Sequence, residues 1–208
     1  MPPNPVRALD NSLTEQESAG RNFYMNFPST LLGSCDNCHR LRPLEGQFGT
    51  NGLMTFEGGR ITENFKIPQL RNMYTKVGMF GFSGDNSAAT GLQIRGFGFS
   101  HDGAVDTLEN FLRDPVFIFP PPADVTRRQV AAFVLAFDTN LLPIVGQQVT
   151  WRPGTSSAIE DRLSLLRNQA LIRTPRPSCD LIARITANGV AHSALLQLDG
   201  NWAFKDGS

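Results

Sequence analysis

Apolar positions recur at two different spacings along this chain, helical in the runs before the strands read from residue 179 on, and the composition shifts near residue 142. Up to that point they fall three and four apart, in short runs divided by glycine and proline. Thr14 and Glu17 have the spacing of a capping box, in which each side chain bonds the other residue's backbone N–H. Gly20, Phe23, Tyr24 and Phe27 follow at helical spacing, and Pro28 ends the run. Residues 40–66 read as mostly irregular, punctuated by Gly46, Gly49, Gly52, Gly58 and Gly59. Residues 65–74 read as an extended entry that turns into a short helix after Pro68. Asp106 with Glu109 caps a short helix over 107–113, which Pro115 stops. Pro120, Pro121 and Pro122 make a stiff connector. Thr126 with Gln129 opens the next helix, whose Val130, Phe133, Val134 and Phe137 share a face. The first and last of these helices are expected to pack together, Gly20 allowing close approach and the aromatics filling the seam.

Beyond residue 142 the composition changes. Residues 143–155 read as a linker. Ser157 with Glu160 caps a helix that carries Ile159, Leu163 and Leu166 on one face, and the prolines at 175 and 177 break it. Strands are expected at 179–186, 190–198 and 202–205. Asn188-Gly189 is a two-residue hairpin signal, and Asp199-Gly200-Asn201 turns the chain again. The reading is a small α+β unit over 156–208, a helix with a three-stranded antiparallel meander.

Composition narrows the class. At 208 residues the chain can bury one sizeable core and carry a small second unit. Lys+Arg and Asp+Glu both number 19, so there is no basic excess to recruit nucleic acid. No apolar run approaches the ~20 residues of a membrane span. The opening Met1-Pro2-Pro3-Asn4-Pro5 lacks the basic and apolar regions of a signal peptide. It reads as linker-like, the start of a piece of a longer polypeptide.

The chemistry is concentrated at Cys35-Asp36-Asn37-Cys38-His39, a C-x-x-C-H sequence. Two thiols at this spacing can form thioethers to both vinyl groups of one porphyrin edge. The adjacent histidine then supplies a neutral nitrogen to the iron as proximal ligand. Zinc would need a second ligand pair, and the only other cysteine, Cys179, stands far off. A thioredoxin-like reading would need a βαβ context. The motif therefore points to one covalent haem c, held by Cys35 and Cys38 with His39 below the iron.

Four motifs in order carry a further likeness: the capped helix with Gly20-x-x-Phe23-Tyr24, the CxxCH, Phe-Lys-Ile-Pro-Gln-Leu-Arg-Asn over 65–72, and Phe-Ser-His-Asp-Gly over 99–103 ahead of Thr107-Leu108-Glu109. This order resembles the bacterial di-haem cytochrome c peroxidase family, most of all its C-terminal haem half, over residues 8 to about 140. The resemblance implies a mainly α fold. Residues 8–142 would be a cytochrome c-like haem domain, followed by the 143–155 linker and the α+β unit. It also implies a redox partner protein and a periplasmic or otherwise extracytoplasmic setting. The departures are specific. The family's enzymes carry two haems, whereas this chain has one CxxCH. It has an extra stretch at about 80–98, and Pro115 stands where the family places a methionine ligand.

Another residue must then cover the distal face, or the iron stays open. Met79 ranks first, because Gly78 and Gly81 would let its backbone approach the ring and a thioether raises the potential for electron transfer. Core packing is the competing role for Met79. Met54, in a glycine-rich loop, and Met73, on a stretch read as helix where packing is the default, are weaker candidates. His101 is the rival, either as a turn residue or as a proton-handling group over an open haem. Arg71 could bind a haem propionate or form an ordinary ion pair. His192 reads as an exposed strand residue. Three functions follow: a mono-haem electron-transfer cytochrome with His/Met ligation, a peroxidase-type haem domain with an open or His-gated distal site, or a structural or sensory haem module whose α+β unit docks a partner.

Overall fold

The computed structural model describes residues 1–42, 47–48, 53–54, 65–79, 96–139, 141–173 and 178–205, with the backbone alone at 41–54. The chain divides into two compact units, Leu13–Thr139 and a second made of Met1–Ser12 with Asn140–Ser208. The stretch read as a linker, 143–155, thus belongs to the second unit, where Ile144 is buried.

In the larger unit, α1 spans Glu15–Asn26 and begins with the expected capping box, both of its bonds formed between Thr14 and Glu17. One helical turn, α2, spans Cys35–Cys38. Two short antiparallel ladders follow. β1 (Leu41–Arg42) pairs with β2 (Gln47–Phe48), and β3 (Leu53–Met54) pairs with β4 (Phe65–Lys66). Also described in this unit are a 3-10 turn at Met73–Lys76, the four-residue α3 at Leu108–Phe111 and the long α4 at Ala123–Leu135.

The core is the α1–α4 seam. A β-carbon on Gly20 would lie 1.9 Å from the Gln129 carbonyl oxygen, so the two backbones meet where the only hydrogen side chain stands. One turn on, Tyr24 meets Phe133 and Phe137 edge-on with centroids at 5.4 and 5.3 Å, and Phe133 meets Phe137 at 4.8 Å. Burying each such ring stabilises by roughly 1.5–3 kcal/mol, and each edge-to-face pair adds about 0.5–1.5 kcal/mol. Phe23 continues the seam by stacking on Phe119 at 5.2 Å. Phe27 lies just past the helix and is largely exposed, though it still stacks on Phe23.

The second unit contains α5 (Ser157–Ala170) and an antiparallel sheet of β5 (Ile182–Ala187), β6 (Val190–Leu196) and β7 (Trp202–Lys205), in that order. Both turn residues of the β5–β6 hairpin, Asn188 and Gly189, have positive φ, as a two-residue primed turn requires. The N-cap of α5 is Ser156 and not Ser157, without a side-chain cap bond, so Glu160 falls one position beyond the capping site read for it and instead accepts from Trp151 Nε1 at 2.5 Å.

The expectation of a mainly α fold is overturned. Among the described residues the structure is 32% helical and 15% strand, with five helices and a three-stranded antiparallel sheet. The reason lies in how short the helices are. The helix read over 107–113 holds for four residues, capped by the Thr107 hydroxyl on Asn110 N–H while Asp106 turns to the Asn110 side chain. The helix read after Pro68 is a single 3-10 turn entered through Asn72 in the left-handed region. Nucleation costs more than such short pieces return, and the prolines at 68, 115 and 120–122 prevent their extension. Only α4 gains length, starting directly after Pro122 instead of at Thr126.

Candidate functional site

The turn before the motif fixes where the first thiol sits. Gly33 has φ +113°, and a β-carbon there would meet Asn37 Nδ2 at 2.2 Å. Gly33 O accepts from Ser29 N–H at 2.9 Å, and Ser29 O accepts from Ile118 N–H at 2.8 Å. Ser29 is thereby buried, and its Oγ accepts a hydrogen bond from Cys35 Sγ at 3.2 Å. Cys35 and Cys38 are the first and last residues of α2, and residues three apart on a helical turn are neighbours. Burial pushes the Cys35 thiol up, against the opposing pull of the Ser29 bond. The thiol is therefore the protonated form.

His39 is tied at three points. Its N–H donates to Cys35 O at 2.8 Å, closing α2. Its carbonyl accepts a hydrogen bond from the hydroxyl of Tyr24 on α1. Its Nδ1 lies 2.8 Å from Pro68 O. A carbonyl only accepts, so Nδ1 carries the proton and Nε2 keeps a lone pair. Burial holds the imidazole below its ordinary pKa, with the Pro68 bond opposing, and so favours the neutral form. Burial also raises Tyr24 well above the usual phenol range, so it stays a donor.

Two thiols one helical turn apart, beside a neutral imidazole with Nε2 free to donate electrons, match the donor set of haem c. Among the described residues, no cluster of three or more His, Cys, Asp and Glu could hold a metal ion, so they supply no second pair for zinc.

The other sequence candidates fall in separate places. Arg71 is buried at 4% exposure and donates from Nε to Asp138 O at 3.1 Å, while its N–H donates to Gln69 Oε1 at 2.7 Å. It thus ties the 65–72 segment to the chain leaving α4. Met79 is buried at 6% exposure. Its neighbour Gly78 donates to Asp106 O at 2.7 Å, and Met79 O accepts from Gly96 N–H at 3.4 Å. Gly81 and the stretch 80–95, expected to help cover the distal face, lie outside the described residues. So do the glycines at 46, 49, 52, 58 and 59, the prolines at 175 and 177, and the side chain of Met54. Met73 belongs to the aromatic core. His101 is exposed and its ring sits 5.4 Å from that of Phe65. Asp102 beside it accepts from Ala104 N–H at 3.0 Å. His192 is exposed on β6 opposite Ile185, and Cys179 is half-buried.

The contacts join the sequence motifs in pairs. His39 with Pro68 joins CxxCH to the 65–72 segment, Tyr24 with His39 joins it to α1, and Phe65 with His101 joins 65–72 to 99–103. Sequence reading missed Ser29, the Pro68 carbonyl and the Tyr24 hydroxyl. Only the last had a signal: a tyrosine on a buried helix face needs a partner for its O–H.

Compared with known proteins, the chain matches no family model, no curated protein and no solved structure. Among the described residues no helix is long and apolar enough to cross a membrane.

Proposed function

We propose that this chain is a mono-haem c-type cytochrome that transfers electrons. Haem c is bound covalently through Cys35 and Cys38, with His39 as proximal ligand and Met79 as distal ligand. One observation carries the reading: Pro68 O holds the proton on His39 Nδ1, which leaves Nε2 as the ligating atom of a neutral ring beside two thiols on one helical turn. When bound, haem supplies a one-electron iron couple, and a distal thioether raises its potential. The chain's own residues orient the imidazole, keep it neutral and shield Cys35. The likeness to the C-terminal half of the di-haem peroxidases, a redox partner protein and an extracytoplasmic setting are part of the same proposal.

The test is expression alongside a cytochrome c maturation system. Haem should stay on the polypeptide after acid–acetone treatment, and Cys38→Ala should leave at most one thioether. Complete extraction of haem from the wild type, or zinc in place of iron, sinks the proposal. A high-spin oxidised spectrum would remove the Met79 ligation and favour the peroxidase-type site.

A further inference from the structure

We propose that Tyr24 is a positioning residue for the proximal ligand: its hydroxyl ties the main chain of His39 to α1, and that one bond, rather than the tightness of the core around it, sets where the imidazole points. The inference rests on the haem reading above.

The Tyr24 ring is fully buried against Phe133 and Phe137. A phenylalanine would fill the same space and make the same edge contacts. The hydroxyl adds one interaction, the hydrogen bond it donates to His39 O. That bond works together with two others from different parts of the chain. Cys35 O holds the His39 N–H from within α2, and Pro68 O holds the ring at Nδ1. The N–H and C=O bonds fix the residue's backbone, and the Nδ1 bond fixes rotation of the ring on that backbone. Without the hydroxyl, the carbonyl end of His39 loses its link to α1. The Pro68 bond then has to hold a ring whose base can shift. A group that holds a ligand at one remove tunes it through orientation, as hydrogen-bond partners behind metal ligands do.

The test compares Tyr24→Phe with Val134→Ala in the full-length purified protein. Val134 is a buried residue of α4, so its truncation loosens the same core and leaves the hydroxyl in place. Two quantities are read: solvent exchange of the His39 Nδ1 proton by NMR, and the reduction potential of the haem-loaded protein. Tyr24→Phe should speed the exchange roughly five- to tenfold, the worth of one hydrogen bond, and move the potential. Val134→Ala should lower the melting temperature and leave both readings at wild type. If Tyr24→Phe changes neither, or Val134→Ala changes both equally, the proposal is overturned. In the wild type the Tyr24 hydroxyl proton should be visible as a slowly exchanging signal close to the His39 α-proton. Its absence overturns the proposal without any variant. A chain that carries no covalent haem defeats the haem reading alone, because the Nδ1 exchange still reports the Tyr24–His39 bond.

Discussion

Gly20 lies against the backbone carbonyl of Gln129, with no room between them for a methyl group. The overlap of a β-carbon with that oxygen, at 1.9 Å, is with main chain on the opposite helix and cannot be relieved by a rotamer change.

Gly20→Ala should therefore destabilise the larger unit, although alanine is the better helix former by about 1 kcal/mol. Forcing α1 and α4 apart costs about 1–3 kcal/mol or more in a close-packed seam. Urea denaturation should show a lower midpoint. An unchanged or raised midpoint would show that the helices do not meet here.

On the haem proposal, Met79 and His101 are the rival distal ligands, and their variants should give opposite results. Met79→Ala should turn the iron high-spin, lower the potential and speed the binding of cyanide or carbon monoxide. His101→Ala, which removes an exposed ring beside Phe65, should leave the visible spectrum as it was. The reverse pattern assigns the ligand to His101 and withdraws the His/Met reading.

Asp10 accepts from the Ser12 hydroxyl at 2.6 Å and from the Ser12 N–H at 3.0 Å. These bonds, the hydroxyl first, hold its carboxyl below the usual aspartate value. The folded state thus binds this proton more weakly than the unfolded chain, whose aspartates titrate near ~3.9. The resulting stability is present above that value and is lost as pH falls through the lowered folded one. Ser12→Ala should bring the Asp10 titration up toward the ordinary value when followed by NMR. No movement would mean the turn is open in solution.

Some of this was legible in residue types, and some lies in atoms that every residue shares. The capping box at Thr14 and Glu17, the close approach at Gly20 and the Asn188-Gly189 turn each depend on a side chain that few alternatives can replace. They were read where they stand. The motif at 35–39 also depends on side chains that few alternatives can replace, and the haem it points to stays a proposal. Pro68 reads as the entry to a short helix, but it bonds His39 through its carbonyl, and a carbonyl leaves no trace in the identity of a residue. Ser29 sits in an ordinary loop, and nothing in its neighbours marks it as the partner of a thiol. The helical share was over-read because apolar residues three and four apart suggest a helix even where proline limits it to a turn, as at 107–113. The two-residue ladders β1–β2 and β3–β4 are too short to show any alternation at all.

The three ties on His39 come from residues 24, 35 and 68, and a ribosome delivers them in that order. On the reading proposed here, both thiols and the ligand exist once residue 39 has been made, whereas the ring gains its final partner only when Pro68 arrives. Under that proposal, the groups that would join the porphyrin are separate from the group that aims the ligand, so losing the Pro68 bond would leave a pigmented protein with a loosely aimed imidazole.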